Sequence, residues 1–267
     1  MIESIAIGSF DGVHIAHQKL IEIADAVVII ERFSASLTPG WKRSFYIDKP
    51  CYFYILEKIK GLTPKEFIAK LESDFPHLKR IIVGYDFRFG KAKSGTLEIL
   101  QEYFSGEVVV VDEVKKDGVS VHSRVIRQYL QECNIKVTNR LLGRRYRIDG
   151  YEIRGLGIGG KELVPTINLD VKDYVLPLGV FAVKVEIDKR SFDAVAFIGN
   201  RVSVDNSFSV EVHILDKFDA ERNQYRKVWV EFVDFIRAIK RFDSFESLKA
   251  AIEADIKSAK KLLRRAT

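Results

Sequence analysis

The chain has 267 residues, 47% hydrophobic and 30% charged, with 43 Lys and Arg against 37 Asp and Glu for a net charge of +6. Such a balance fits one large globular domain or two ordinary ones, and the two cysteines, Cys51 and Cys133, have neither metal-ligand spacing nor the density of a disulfide framework. The basic residues are scattered among acids, which gives weak support for anionic ligands such as ATP and no more for nucleic acid. No apolar run approaches the ~18 residues of a membrane span, Glu3 and Asp11 interrupt any signal-peptide core, and reduced thiols suit a cytosol, so the expectation is a cytoplasmic protein.

In chain order, Ser4–Ile7 reads as a buried parallel strand and Gln18–Ala24 as a helix. Between them Gly8-Ser9-Phe10-Asp11-Gly12-Val13 forms a glycine-bearing turn, which brings backbone N–H groups to a helix N-terminus where phosphate binds well. His14 and His17 then fall at i and i+3 on one face of the first helical turn, where imidazoles can donate to charge growing on phosphate oxygens. Ala26–Ile30 is a second strand and Ser34–Gly40 a loop, while Lys49–Lys60 carries an amphipathic pattern through Phe53, Leu56 and Ile59. Thr63-Pro64 reads as an N-cap with proline at the first helical position, and Arg80–Gly84 and Val108–Val111 are further strands. Strands alternating with helices predict a doubly wound parallel sheet whose ligand crevice lies at the carboxyl ends of its strands. Gly84-Tyr85-Asp86-Phe87-Arg88-Phe89-Gly90 follows such an end: two glycines permit close approach of a ligand, and Phe87 and Phe89 can wall a flat ring. Ser123 and Arg127 pair a hydroxyl with a forked guanidinium, a combination suited to phosphate.

From Tyr146 the period changes. Tyr146–Ile153, Gly179–Glu186, Ala194–Ile198, Phe208–Ile214 and Val228–Phe232 alternate with period two between turn residues, which predicts an antiparallel sheet or small barrel and a domain boundary near residue 140. The glycine-rich Gly155–Gly160 can fold over phosphates, and Thr166 and Asn168 offer oxygens that Mg²⁺ accepts. Glu211 and His213 share one face of their strand, opposite Val210 and Val212. Ser244 and Ser247 both suit the N-cap of a terminal amphipathic helix through Leu248, Ile252, Ile256 and Leu263.

In their order, these segments resemble those of the bacterial bifunctional riboflavin kinase/FAD synthetases. The stretch from Gly8 to His17 resembles G-x-F-D-G-x-H-x-G-H with Ala16 in place of the second glycine; Gly84–Gly90 resembles G-x-D-F-R-F-G; Val121–Arg127 resembles I-S-S-T-x-I-R, with His122 and Arg124 replacing Ser and Thr. Leu141–Tyr146 resembles the L-G-R-x-Y joint between modules, and the stretch Gly155–Asn168 resembles G-R-x-L-G-F-P-T-A-N, with Lys161 for arginine and one glycine missing between Leu163 and Val164. Two segments depart further: Glu31–Ser36 stands where the family has T-F-D-P-H-P, and Phe197–Ser203 where it has N-I-G-x-x-P-T-F.

The resemblance implies an α/β plus β protein: residues 1–140 as a doubly wound nucleotidyltransferase domain, FMN adenylyltransferase-like, and residues 141–267 as an antiparallel β-barrel kinase domain with a terminal helix. It implies ATP, riboflavin and FMN as partners, neither nucleic acid nor membrane, and Mg²⁺ as cofactor. In the first domain His14, His17 and Arg127 act on the adenylyl group, and Gly8, Phe10, Asp11, Gly84, Asp86, Phe87 and Ser123 bind the nucleotide. In the second, Glu211 is the kinase base, Thr166 and Asn168 hold the metal, and Gly157, Gly159, Lys161, Pro165 and Arg237 contact ATP or flavin. Two other readings stay open at this point. Ala16 and the Glu31–Ser36 segment fit a kinase whose first domain is degenerate, and a non-catalytic flavin- or nucleotide-binding regulator would keep the same fold and bind without turnover.

Overall fold

The computed structural model describes residues 1–153, 166–203, 205–216 and 226–265. The chain divides into two compact units, Met1–Val125 and Ile126–Thr267.

In the first unit, strand β1 (Ser4–Gly8), helix α1 (Ile15–Glu22) and strand β2 (Ala26–Glu31) make a parallel βαβ element. Strand β3 (Cys51–Ile55) adds outside β2; helices α2 (Leu56–Ile59) and α3 (Pro64–Asp74) carry the chain to β4 (Arg80–Gly84), and α4 (Leu97–Tyr103) leads to β5 (Glu107–Val111). The order is β3-β2-β1-β4-β5 with every pairing parallel, so winding reverses between β1 and β4. Both faces are covered. Ile5, Ile7, Val28, Ile81 and Val83 pack with Phe67, Leu71 and Leu100 on one side, while Ala6, Val27, Ile29 and Ile82 pack with Leu20 and Ile21 on the other. Burial on both faces is why these strands read as continuous apolar runs. At the start of α3, the Thr63 hydroxyl accepts from the Glu66 amide (3.3 Å) and the Glu66 carboxylate accepts from the Thr63 amide (2.8 Å), a complete capping box with Pro64 at the first helical position.

The amphipathic pattern over Lys49–Lys60 is not one element. Cys51–Ile55 is extended, with Tyr52 opposite Val28 of β2, and only Leu56–Ile59 is helical. The aromatic run Tyr52-Phe53-Tyr54 favours a pleated surface, and pairing with β2 outweighs the helical spacing of Phe53, Leu56 and Ile59. After β5, a hairpin of β6 (Lys115–Lys116) and β7 (Val119–Ser120) precedes helix α5 (Ser123–Gln131), which straddles the division between units.

In the second unit, helix α6 (Ile135–Leu142) stops at Gly143, whose φ of 74° returns its amide to the Arg140 carbonyl at 3.3 Å. On α6, Asn139 accepts the Tyr146 amide (2.7 Å) and donates to the Phe232 carbonyl (2.9 Å), and the buried Tyr146 hydroxyl donates to the Val175 carbonyl (2.6 Å). These bonds fasten α6 to the barrel that follows. The compact unit therefore begins upstream of the change of period near residue 140.

Strands β8 (Arg147–Ile153), β9 (Ile167–Asp170), β10 (Gly179–Ile187), β11 (Arg190–Asn200), β12 (Phe208–Ile214) and β13 (Lys227–Arg237) form a closed antiparallel barrel in the order β10-β11-β12-β9-β8-β13, with β13 paired back to β10. Strand β9 is additional to the runs recognised in the sequence. Four residues give too short an alternation, although Ile167 and Leu169 are buried while Asn168 and Asp170 are not. Helix α7 (Phe245–Arg265) begins with the Ser247 amide on the Ser244 hydroxyl at 3.2 Å, and packs Ile256, Ala259 and Leu263 against Val180, Ala182, Val195 and Val233. Among the described residues no helix is long and apolar enough to cross a membrane.

Candidate active sites

At the point where the sheet reverses, β1 and β4 deliver their C-terminal ends side by side. Beyond β1 the chain turns through Phe10, Gly12 and Val13, at φ of 47°, 82° and 41°. Glycine takes this conformation freely, whereas for a β-branched valine it costs on the order of 1–3 kcal/mol, so the turn has to be held by its surroundings. Phe10 and Val13 are fully buried, and the Val13 amide donates to the Phe10 carbonyl at 3.0 Å. Buried Asp11 accepts the amides of Leu37 (2.8 Å) and Thr38 (3.2 Å), while the Ser123 hydroxyl at the start of α5 donates to the Asp11 carbonyl at 2.8 Å. The Asp11 carboxylate is thus committed to the neighbouring loop and acts on the shape of the turn.

That turn ends at His14, the N-cap of α1. Its backbone is extended, and its Nδ1 accepts the His17 amide at 3.3 Å. An accepting Nδ1 leaves the proton of the neutral ring on Nε2. The His14 and His17 rings stack at 3.5 Å and 15°, and Phe10 meets His17 edge-on at 5.1 Å. Both histidines line a cleft of about 590 Å³ together with Gly8, Phe10, Gly84, Asp86, Phe87 and Ser123. Phe87 stacks on Phe89 (5.5 Å, 16°); Phe89 belongs to the core and Phe87, half-buried, faces the cleft. Arg127 stands one helical turn beyond Ser123 on α5, among the residues of the second unit.

Nothing in the sequence singled out the support at the end of β2. Glu31 and Arg43, both buried, form an ion pair, and Glu31 also accepts the amides of Arg32 (2.7 Å) and Phe33 (2.8 Å). Burial pushes the Glu31 carboxyl up, but the Phe33 amide and the Arg43 guanidinium outweigh it and hold the group below the usual glutamate value. A buried arginine needs an acid, yet spacing alone does not say which one.

In the barrel, register does the positioning. Glu211 of β12 lies directly opposite Asn168 of β9 and Phe197 of β11. Glu211, His213, Thr166, Phe197 and Arg237 line a cavity of about 180 Å³ between barrel wall and α7. Glu211 accepts the Ser209 hydroxyl at 3.0 Å and has the Arg201 guanidinium at 3.6 Å. Arg201 also pairs with Asp205 at 3.0 Å; the Ser207 amide and hydroxyl, with Arg201, hold the Asp205 carboxyl below the usual range. Arg237 is clamped by Asp255 of α7, Nε to Oδ1 at 2.9 Å and Nη2 to Oδ2 at 2.8 Å, with Phe242 beneath its guanidinium. Asp255 could have been found in the sequence as an acid one turn after Ile252, inside the apolar stripe of α7. The donor set of Thr166 and Asn168, a hydroxyl and an amide carbonyl, fits a hard cation such as Mg²⁺. Gly157, Gly159, Lys161 and Pro165 lie outside the described residues.

Comparison with known proteins matches each half separately. A family model described as FAD synthetase covers residues 43–125, and one described as riboflavin kinase covers residues 142–263. A bifunctional riboflavin kinase/FMN adenylyltransferase of Pseudomonas fluorescens is 30% identical, spanning 96% of this chain and 91% of that one. Its counterpart in Escherichia coli strain K12 is 29% identical over 94% and 90%. Among solved structures, a Streptococcus pneumoniae protein described as a macrolide-efflux protein has a TM-score of 0.82 at 28% identity, covering 97% of this chain and 94% of its own.

Proposed function

The chain belongs to the bifunctional riboflavin kinase/FMN adenylyltransferase family, and from that premise we propose which of its residues carry each transfer. The protein phosphorylates riboflavin to FMN and adenylylates FMN to FAD, consuming ATP in both steps and releasing pyrophosphate in the second.

In the barrel, Glu211 takes the proton of the riboflavin hydroxyl as that oxygen attacks the γ-phosphorus and the bond to ADP breaks. Thr166 and Asn168 are the residues that would hold Mg²⁺, which when bound neutralises charge on the ATP phosphates. Ser209 and Arg201 keep the Glu211 carboxylate aimed into the cavity. Arg237 braces the cavity wall through Asp255, and Phe242 lies against it. Gly157, Gly159, Lys161 and Pro165 are assigned to ATP from the sequence.

In the first unit, an oxygen of the FMN phosphate attacks the α-phosphorus of ATP and the bond to pyrophosphate breaks. His14 and His17 donate to the α-phosphate oxygens; Ser123 lines the same cleft and, with its hydroxyl on the Asp11 carbonyl, holds the turn that carries them, and Arg127 is assigned to the nucleotide from the sequence. Gly8 and Phe10 line the phosphate path, Asp11 holds the turn that presents them, and Gly84, Asp86 and Phe87 receive the adenine nucleotide. Cytoplasmic residence is supported by the free thiols of Cys51 and Cys133, both pushed up by burial.

The pairing of Glu211 with Asn168 across β12 and β9, beside Thr166, is the observation that carries this assignment. It is tested by chromatography of products from riboflavin, ATP and Mg²⁺, with His17→Ala and Glu211→Gln beside the unaltered protein. FMN followed by FAD is expected, with His17→Ala stopping at FMN and Glu211→Gln losing the first step. FMN and FAD at normal rates from Glu211→Gln would remove it as the base.

A further inference from the structure

Of the cations that line the adenylyl cleft without a role in the assignment above, Arg32, Lys60, Arg88, Lys93 and Arg124, the first is set apart by its place. Arg32, the first residue after β2, is exposed and lines the cleft that contains His14 and His17. An exposed arginine is ordinarily a solvated charge, but the backbone beneath this one is fixed. The buried Glu31 carboxylate accepts the Arg32 and Phe33 amides and is itself held by buried Arg43. Phe33, at φ 49°, turns the chain sharply. Farther along the same loop, Leu37 and Thr38 are tied to Asp11 in the histidine-bearing turn. Two buried carboxylates therefore staple the loop at both ends, and Arg32 stands on it as a fixed post.

Sheet order separates the two sides of the cleft. β1 has β4 on one flank and β2 on the other. The groups assigned to ATP, Gly84, Asp86 and Phe87, come from the β4 flank, as do Arg88 and Lys93. On the β2 flank, Lys60 pairs with Glu57, whereas the Arg32 side chain has no hydrogen bond or ion pair among the described residues. The nucleophile of adenylyl transfer is a phosphate monoester, which must be brought to the α-phosphorus against its like charge. A guanidinium offers a forked donor pair for such a group.

We propose that Arg32 binds the phosphate of the incoming FMN on the β2 side of the cleft, opposite the ATP. This rests on the cleft being the adenylyl-transfer site. The test is steady-state FAD synthesis by the full-length protein, varying FMN and ATP separately, in Arg32→Gln and Arg32→Lys. Riboflavin phosphorylation by the same preparations reports the amount of folded barrel, and the temperature at which FAD synthesis is lost on heating reports whether the first unit is folded as in the unaltered protein.

Arg32→Gln should raise KM for FMN about 10–100-fold while KM for ATP stays within about twofold, with Arg32→Lys recovering part of the loss. A rise in KM for ATP, alone or to the same extent, overturns the proposal, as does no change in either. His17→Ala is run alongside. If it leaves FAD synthesis intact, the cleft assignment fails and takes Arg32 with it; if it stops FAD synthesis while Arg32→Gln is silent, the cleft stands and only the role of Arg32 falls.

Discussion

The two units hold their candidate functional groups by opposite means. In the parallel sheet the groups hang from turns beyond strand ends, and their positions come from local backbone: a strained turn, an N-cap, and a histidine stacked on its neighbour one helical turn away. His14 is only 3% exposed, so its environment is built before any ligand arrives. In the barrel the groups sit within strands, and their positions come from register, as when Glu211 meets Asn168 across a pairing between distant segments. A turn-held site is compact in sequence and sensitive to local conformation. A register-held site is dispersed in sequence and sensitive to whether the barrel closes.

The largest expected break is chemical and confined to the barrel. Glu211→Gln keeps shape and the hydrogen bond from Ser209 but cannot accept a proton, so kcat for riboflavin phosphorylation should fall about 10²–10⁴-fold. FAD synthesis from supplied FMN should be unchanged, measured on the same sample. Next comes the turn-held site, where two variants separate its structural and chemical parts. His14→Asn keeps a side-chain acceptor for the His17 amide and removes the imidazole donor. It should retain the melting temperature and lose about 10²–10³-fold in adenylyl transfer. A stability loss with unaltered rate would make His14 a cap and nothing more.

The same contrast explains what was legible in the sequence. Gly8–His17 and Gly84–Gly90 could be read because every member of each cluster is contiguous and leaves a strand end. Parallel strands showed as apolar runs because both faces are buried, and the barrel showed through its period of two. Strand β3 was obscured because Phe53, Leu56 and Ile59 happen to fall at helical spacing while the actual determinant is pairing with β2. Strand β9 was too short to show a period, yet it supplies Asn168. The Glu31–Arg43 and Arg237–Asp255 pairings were invisible for a different reason: an ion pair between distant elements leaves no spacing signature that joins its two members, even where one of them, Asp255, stands out within an apolar stripe. Arg201 was passed over likewise, because its approach to Glu211 depends on the β11–β12 hairpin rather than on any local pattern.

Glu31 offers a smaller break of the first unit from below. Glu31→Gln leaves Arg43 buried beside a neutral partner and should cost about 3–5 kcal/mol. The sign of the pH dependence follows from the direction of the shift. The folded-state value of Glu31 lies below its ordinary 4.5, so its stabilisation is complete above that pH and is lost as pH falls through the folded value. Acid titration of the adenylyltransferase activity after brief incubation should therefore show a steep loss below about pH 4.5 that is flatter in Glu31→Gln. The same dependence in both proteins would assign the acid loss to other groups.

The smallest effect sharpens the comparison most, because it touches neither site. Thr63 and Glu66 close the capping box of α3, a helix whose Phe67, Ile68 and Leu71 cover one face of the parallel sheet. Thr63→Ala removes one of the two reciprocal bonds and should cost about 1 kcal/mol, with both sets of proposed catalytic groups left in place. For a unit of this size that corresponds to a drop of about 3–5 °C in the temperature at which adenylyl transfer is lost on heating. Rates below that temperature should be unchanged, because the His14 and His17 geometry is set by its own turn and not by α3. Riboflavin phosphorylation, dependent on barrel closure, should keep its original heat-loss temperature. A change in the adenylyl-transfer rate at low temperature would mean that the turn is supported through the sheet rather than by its local bonds to Leu37, Thr38 and Ser123.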